Sequence, residues 1–139
     1  DMGEINLWAY SRESIIAEKF QAMLYLAQAN SRMKDFFDIC MLARTYDFDG
    51  RVLFEAIQQT IAKRATPIET NPIIFDAAFG GMTEKKAQWN AFCKRIHHDE
   101  LTFDGVLIIL RKMLGPIYQA ILADSEFFGV WKHQTLNWE

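Results

Sequence analysis

Three side chains in the first third of the sequence carry charge where helical periodicity calls for apolar groups: Lys19, Asp35 and Asp38. A lysine can meet a phosphate as a point charge, while a carboxylate beside it orients the ligand or assists proton transfer. Charge removed from water must be paired or must serve a ligand, so a lysine on an apolar stripe calls for a reason. Two reasons stand at this point. Lys19 and Asp35 can form an interhelical salt bridge that fixes register, with Arg32 and Lys34 neutralising the carboxylates locally. Alternatively, Lys19 faces an anionic ligand and the acid positions it.

The elements that must position these groups lie between residues 10 and 39, where two helical patterns follow one another. Ser11 suits an N-cap, and Glu13 stands in the first turn, where the helix dipole favours a carboxylate. The spacing predicts a first helix over residues 12–28. Ile15, Lys19, Ala22, Met23 and Leu26 share one side of it, Ile16, Phe20 and Leu24 broaden the stripe, and Glu18 and Gln21 point away. Asn30 and Ser31 break and recap the chain. A second helix over residues 32–46 presents Phe36, Ile39, Cys40 and Ala43, with Asp35 bordering that face. Asp38 stands one turn further on the same edge, so two carboxylates lie about 5–6 Å apart at Cβ and need a cation nearby. A short connection between amphipathic helices implies that they pack together, bringing Lys19 and Asp35 to one seam.

The rest of the chain predicts support for that seam. Tyr46 to Gly50 reads as a turn, and Asp49 caps a third helix carrying Leu53, Phe54, Ile57 and Ile61 and ending near Lys63 and Arg64. Residues 65–72 form a connector, followed by a short helix stopped at Gly80 and Gly81. Thr83 is expected to cap a helix bearing Trp89, Phe92, Cys93 and Ile96. Thr102 is expected to cap the longest one, with Phe103, Leu107, Leu110, Leu114, Ile117 and Ile121 as its core stripe and a kink at Gly115 and Pro116. The aromatic tail, residues 125–139, is expected to pack down or to meet a partner surface. Residues 1–9 read as a short extended lead-in. The fold class is all-α, a single helical bundle of five to six helices.

Composition narrows the function classes. A chain of 139 residues with net charge −3 is most simply one domain, and it gives no electrostatic reason for a whole face to bind nucleic acid or anionic membrane. Two cysteines outside any metal or disulfide spacing suit a reducing cytoplasm. No leader pattern and no bilayer-length apolar run is read in the sequence, so no membrane partner is expected. His97, His98 and Asp99 are adjacent and point in different directions, His133 lies far off in the tail, and no metal site is expected. Neither cysteine has a general base beside it, and no glycine-rich phosphate loop occurs.

The stretch YSRESIIAEK, with Tyr10, Glu13, Ala17, Glu18 and Lys19, followed by NSRMKDFFDI, with Arg32, Asp35 and Asp38, resembles the nucleotidyltransferase toxin family named after the AbiEii abortive-infection protein. The later QWNAF block and the ILRKMLGPI helix are similar to the same family's C-terminal region. The resemblance implies a helical C-terminal half of a larger enzyme, whose N-terminal α/β half holds magnesium and a nucleoside triphosphate through Gly-Ser and Asp-x-Asp elements. It implies that Lys19 is the functional, triphosphate-contacting lysine and Asp35 the functional aspartate, with Asp38, Glu13 and Arg32 in support. NTP and Mg2+, an RNA acceptor and an antitoxin are the ligands and partners that follow. No Gly-Ser followed by Asp-x-Asp occurs in this chain, so the isolated chain is not expected to transfer nucleotides. The alternative is a non-catalytic helical interaction module with a structural Lys19–Asp35 pair and a partner-binding tail.

Overall fold

The fold is described from a computed structural model covering residues 11–139. The expected extended lead-in at residues 1–9, and Tyr10 of the family-like motif, lie outside the described residues. Among the described residues there are six α-helices: α1 (Arg12–Leu26), α2 (Met33–Thr45), α3 (Gly50–Lys63), α4 (Ala77–Gly81), α5 (Thr83–Ile96) and α6 (Phe103–Leu122). Single 3-10 turns stand at Ala27–Ala29 and Ile73–Phe75.

Local chemistry sets most of these boundaries. Ser11, Asp49 and Thr102 accept hydrogen bonds from the exposed N–H groups of Ser14, Arg51 and Gly105, as their cap positions predict. Thr83 does not cap α5: it is the first helical residue, Met82 occupies the cap position, and no side chain satisfies that end. Ser31 does not cap α2 either: Arg32 occupies the cap position without a side-chain bond, and Asn30 Oδ1 accepts from the Arg32 N–H at 2.8 Å. At the far end of α5, His97 closes the helix in the left-handed conformation, where its N–H reaches back to the carbonyls of Cys93 and Lys94. Helical structure continues through Gly115 and Pro116 to Leu122.

The core is one cluster filled from every helix. Phe36, Ile39, Cys40 and Ala43 of α2, Leu53, Phe54, Ile57 and Ile61 of α3, and the predicted stripe of α6 are all buried. An aromatic knot ties α2 to α5 and α6, with Phe36 5.3 Å from Phe103 and Trp89 5.6 Å from Phe103 between ring centroids. Ile96 departs from its predicted stripe and is exposed, because α5 ends there and the chain turns away. The helix α6 is the one described helix long and apolar enough to cross a membrane by length and composition, contrary to the reading of no such run, and its apolar stripe is buried inside the bundle.

Two departures reshape the picture. The buried arc of α1 is Ile16, Ala17, Phe20, Gln21 and Met23, while Ile15, Ala22 and Leu26 are only half-buried. The helix lies against α3 as well as α2, and Gln21, expected to face water, donates from Nε2 to Thr66 Oγ1 at 2.7 Å in a buried contact. The second departure is a small antiparallel sheet, β1 (Phe48–Asp49), β2 (Val130–Lys132) and β3 (Asn137–Trp138), in that order. Phe48 pairs with Trp131 and Trp131 with Trp138. The tail therefore packs down: Trp131 is fully buried and donates to the Ala43 carbonyl at 2.8 Å, and Trp138 donates to the Met113 carbonyl at 3.0 Å.

Candidate functional site

In the antiparallel pair of α1 and α2, Arg12 at the start of one lies 3.7 Å over the Tyr46 ring at the end of the other, and the middle of α1 faces the first half of α2, which carries Asp35 and Asp38. There Lys19 Nζ donates to Asp35 Oδ1 at 3.0 Å and stands 3.0 Å from Asp38 Oδ2. The α1 helix is rotated so that Lys19 sits at the rim of the packed arc with 22% of its side chain exposed, whereas the Asp35 side chain is only 6% exposed. The lysine that looked misplaced on an apolar stripe is thus an edge residue, and the buried charge is the aspartate.

Further cations surround the two acids. Lys34 Nζ lies 2.7 Å from Asp38 Oδ2, one helical turn away. Arg32 Nε stands 3.2 Å from Asp35 Oδ2 but outside hydrogen-bond geometry, so that oxygen is buried beside a positive charge with a free lone pair. Burial alone would lower the pKa of Lys19. The hydrogen bonds and charges of Asp38 and Asp35 together outweigh it, and the net effect raises the lysine above its ordinary value. Lys19 is therefore a fixed cation at neutral pH and no general base.

A groove of about 360 Å³ opens over this cluster, lined by Lys19 and Asp35 together with Ser14, Glu18, Arg32 and Arg64 among others. Arg64, at the C-terminal cap of α3, grips Glu18 Oε2 through Nη2 at 2.7 Å and Nε at 2.9 Å. Sequence reasoning missed Arg64, since its only signal was a basic residue at a helix end. It also read Glu18 as pointing away, whereas Glu18 forms part of the groove wall. Of the predicted group, Lys19, Asp35, Asp38 and Arg32 come together. Glu13, in the first turn of α1, is neither among the groove residues nor paired with Lys19.

The arrangement does not suit a metal ion. Each carboxylate of the cluster already faces cations at 2.7–3.2 Å, and a divalent ion brought there meets their repulsion. Among the described residues no group of three or more His, Cys, Asp or Glu side chains is placed to hold a metal. The single Asp-x-Asp of the sequence, Asp47-Phe48-Asp49, is otherwise engaged: Asp49 caps α3, and Asp47 accepts from the His133 backbone at 2.9 Å and lies 2.6 Å from its Nδ1. His97 and His98 lie beside a larger groove of about 810 Å³ between α5 and α6 rather than near Lys19. Both cysteines are buried and unpaired, and burial pushes the Cys40 thiol up to about 11, so neither is an activated nucleophile.

The order of motifs and this geometry can be set beside known proteins. A family model described as "Nucleotidyl transferase AbiEii toxin, Type IV TA system" matches residues 1–109, ending inside α6 and leaving β2 and β3 beyond the match. No curated protein and no solved structure matches the chain. With more than three quarters of its length matched, from the Lys19 helix through α5 into α6, the chain belongs to the AbiEii nucleotidyl transferase toxin family of type IV toxin–antitoxin systems.

Proposed function

We propose that this chain is the helical half of a nucleotidyltransferase toxin and that its Lys19 groove forms one wall of the catalytic cleft, moving a nucleotide from an NTP to an acceptor such as RNA. The observation that carries the reading is the joint placement of Lys19, Arg32 and Arg64 from three separate elements around one open groove, with the buried Asp35 at its floor. Phosphoryl transfer depends mainly on positioning and on charge stabilisation, and three cations around a small concavity supply both for a triphosphate. Asp35 holds Lys19 in place through Oδ1, and on this reading its role is to position the lysine for the triphosphate.

The cluster does not fit magnesium, so no step is assigned to a metal held by these residues; metal binding is left to an α/β half carrying Gly-Ser and Asp-x-Asp elements. On this reading residues 1–139 act as one helical domain, inactive without that half. Family membership implies an antitoxin in the same system. The two unpaired cysteines agree with a reducing cytoplasm.

The test is incorporation of labelled nucleotide into RNA by the protein expressed with its catalytic half. Lys19→Ala is expected to abolish most incorporation while leaving the fold intact, and undiminished incorporation refutes the role. The alternative, a non-catalytic interaction module with a partner-binding tail, loses one support: Trp131 and Trp138 are spent inside the fold, although Phe128 stays exposed.

A further inference from the structure

A second lysine, later in the sequence, is tied to the α1–α2 connection beside this cluster. Lys85 is the third residue of α5 and is only 2% exposed, among the largest fully buried side chains of the protein. Its amino group meets neutral oxygens: it donates to the Asn30 carbonyl at 2.7 Å and to Gln88 Oε1 at 3.3 Å, and it lies 5.8 Å from the centre of the Phe79 ring. Burying a lysine without a carboxylate is costly, and a cation in the first turn of a helix also faces the positive end of its dipole. Local helix chemistry gives no reason for a lysine here. The reason lies in what it holds.

Asn30 is the buried hub of the α1–α2 connection. Its carbonyl takes the Lys85 hydrogen bond, and its side-chain oxygen takes the backbone N–H of Arg32 at 2.8 Å. Arg32 Nε stands 3.2 Å from Asp35 Oδ2, and Asp35 Oδ1 holds Lys19 at 3.0 Å. Four successive contacts thus run from α5 through the connection and along α2 to α1. We infer that Lys85 is a positioning residue for the groove: by fixing the Asn30 carbonyl it sets the connection that places Arg32 against Asp35, and through them Lys19. The nearby Phe79 ring packs on Phe36 of α2, so the same amino group is referenced to the helix that carries both carboxylates.

The functional meaning of this inference rests on the proposed ligand-facing role of Lys19; its structural content does not. The experiment follows the titration of the Lys19 ε-carbon by NMR in the full chain with labelled lysine, for the wild type and for Lys85→Met, which keeps length and removes the donor. The expected result is a Lys19 titration that moves down toward the ordinary lysine value in Lys85→Met. Ile117→Val, a buried change outside these contacts, is the control: it lowers the melting temperature and leaves the Lys19 titration in place. Should Lys85→Met fail to fold, Lys85→Gln, which keeps a polar tip but is too short to hold the Asn30 carbonyl, is the second variant and is expected to move Lys19 in the same direction. A folded variant whose Lys19 titration coincides with the wild type overturns the inference.

Binding of inorganic tripolyphosphate separates the two claims. If both hold, wild type binds it and Lys85→Met weakens it about three- to tenfold. If Lys19 moves but neither protein binds tripolyphosphate, the positioning role stands and the nucleotide-facing role of the groove falls.

Discussion

At the scale of single residues, the central question is what Lys19 contributes to stability, because a purely structural lysine and a ligand-facing one predict different variants. Its ammonium is shared between Asp35 and Asp38, and each acid keeps another cation, Arg32 or Lys34, when Lys19 is removed. Lys19→Ala is therefore expected to cost about 1–3 kcal/mol in denaturant unfolding, since Asp35 keeps the Arg32 charge nearby but loses the hydrogen bond from Lys19, while nucleotide incorporation by the assembled enzyme collapses. A large drop in stability would mark the lysine as a register-fixing element instead. The pH dependence has a definite sign. Since the folded-state pKa of Lys19 is raised, its contribution is fully present below the ordinary lysine value of 10.5 and is lost as pH rises through the higher folded value. Melting curves of wild type and Lys19→Ala should converge at that alkaline end. Asp35→Asn, which keeps shape and removes charge, should abolish the raised titration of Lys19 in part only, because Asp38 remains.

At the scale of elements, the terminal hairpin is held by two devices that can be tested separately. Gly50 opens α3 where the chains cross: its N–H donates to the Gly129 carbonyl at 2.7 Å, and a methyl group on it would lie 2.8 Å from that oxygen and 2.9 Å from the Phe127 ring. Gly50→Ala is expected to push β2 away from α3 and lower the melting temperature by several degrees, with Trp131 fluorescence shifting toward that of a wetter ring. The second device is the exposed Asp47–His133 contact, backed by Lys132 at 3.9 Å. Hydrogen bonds from the His133 backbone and ring, together with the nearby positive charge, hold the Asp47 carboxyl below its ordinary value. Its contribution is thus present above the ordinary carboxylate range and disappears as pH falls through the lowered value. Asp47→Asn should remove that part of the acid sensitivity of the hairpin, read as hydrogen exchange at the Val130 and Glu139 amides, which pair with each other across the hairpin.

At the scale of the whole molecule, the family match stops at residue 109, yet the fold does not. The last two thirds of α6 and the sheet close the bundle: Trp131 fills a slot against α2, and Trp138 covers α6. A chain ending at residue 124 is expected to lose about 3–5 kcal/mol from the vacated Trp131 site alone and to bind a hydrophobic dye, and native-like melting of that chain would show that the sheet is an accessory. The groove around Lys19 lies on α1, α2 and the end of α3, away from the hairpin, so such a truncation tests stability without touching the candidate site directly.

The amino-acid sequence by itself determined the helices and which of their residues are apolar inside. The stripes of α2, α3 and α6 were legible because each of these helices buries one face with regular spacing, and Ser11, Asp49 and Thr102 marked the starts of α1, α3 and α6 by local hydrogen bonding that depends on no distant residue. Lys19, Asp35, Asp38 and Arg32 were likewise found from spacing and motif. Tertiary structure alone decided the rest. The α1 helix has neighbours on two sides, so its buried arc is centred away from the Ile15–Leu26 stripe, and that rotation makes Lys19 an accessible rim residue and Gln21 a buried one. Arg64, Lys85 and the β1–β2 pairing depend on partners 46, 55 and about 80 residues away in sequence. Periodicity records only what a helix shows to its own next turn, whereas a side chain's partner across such distances is fixed by the packing of the entire core.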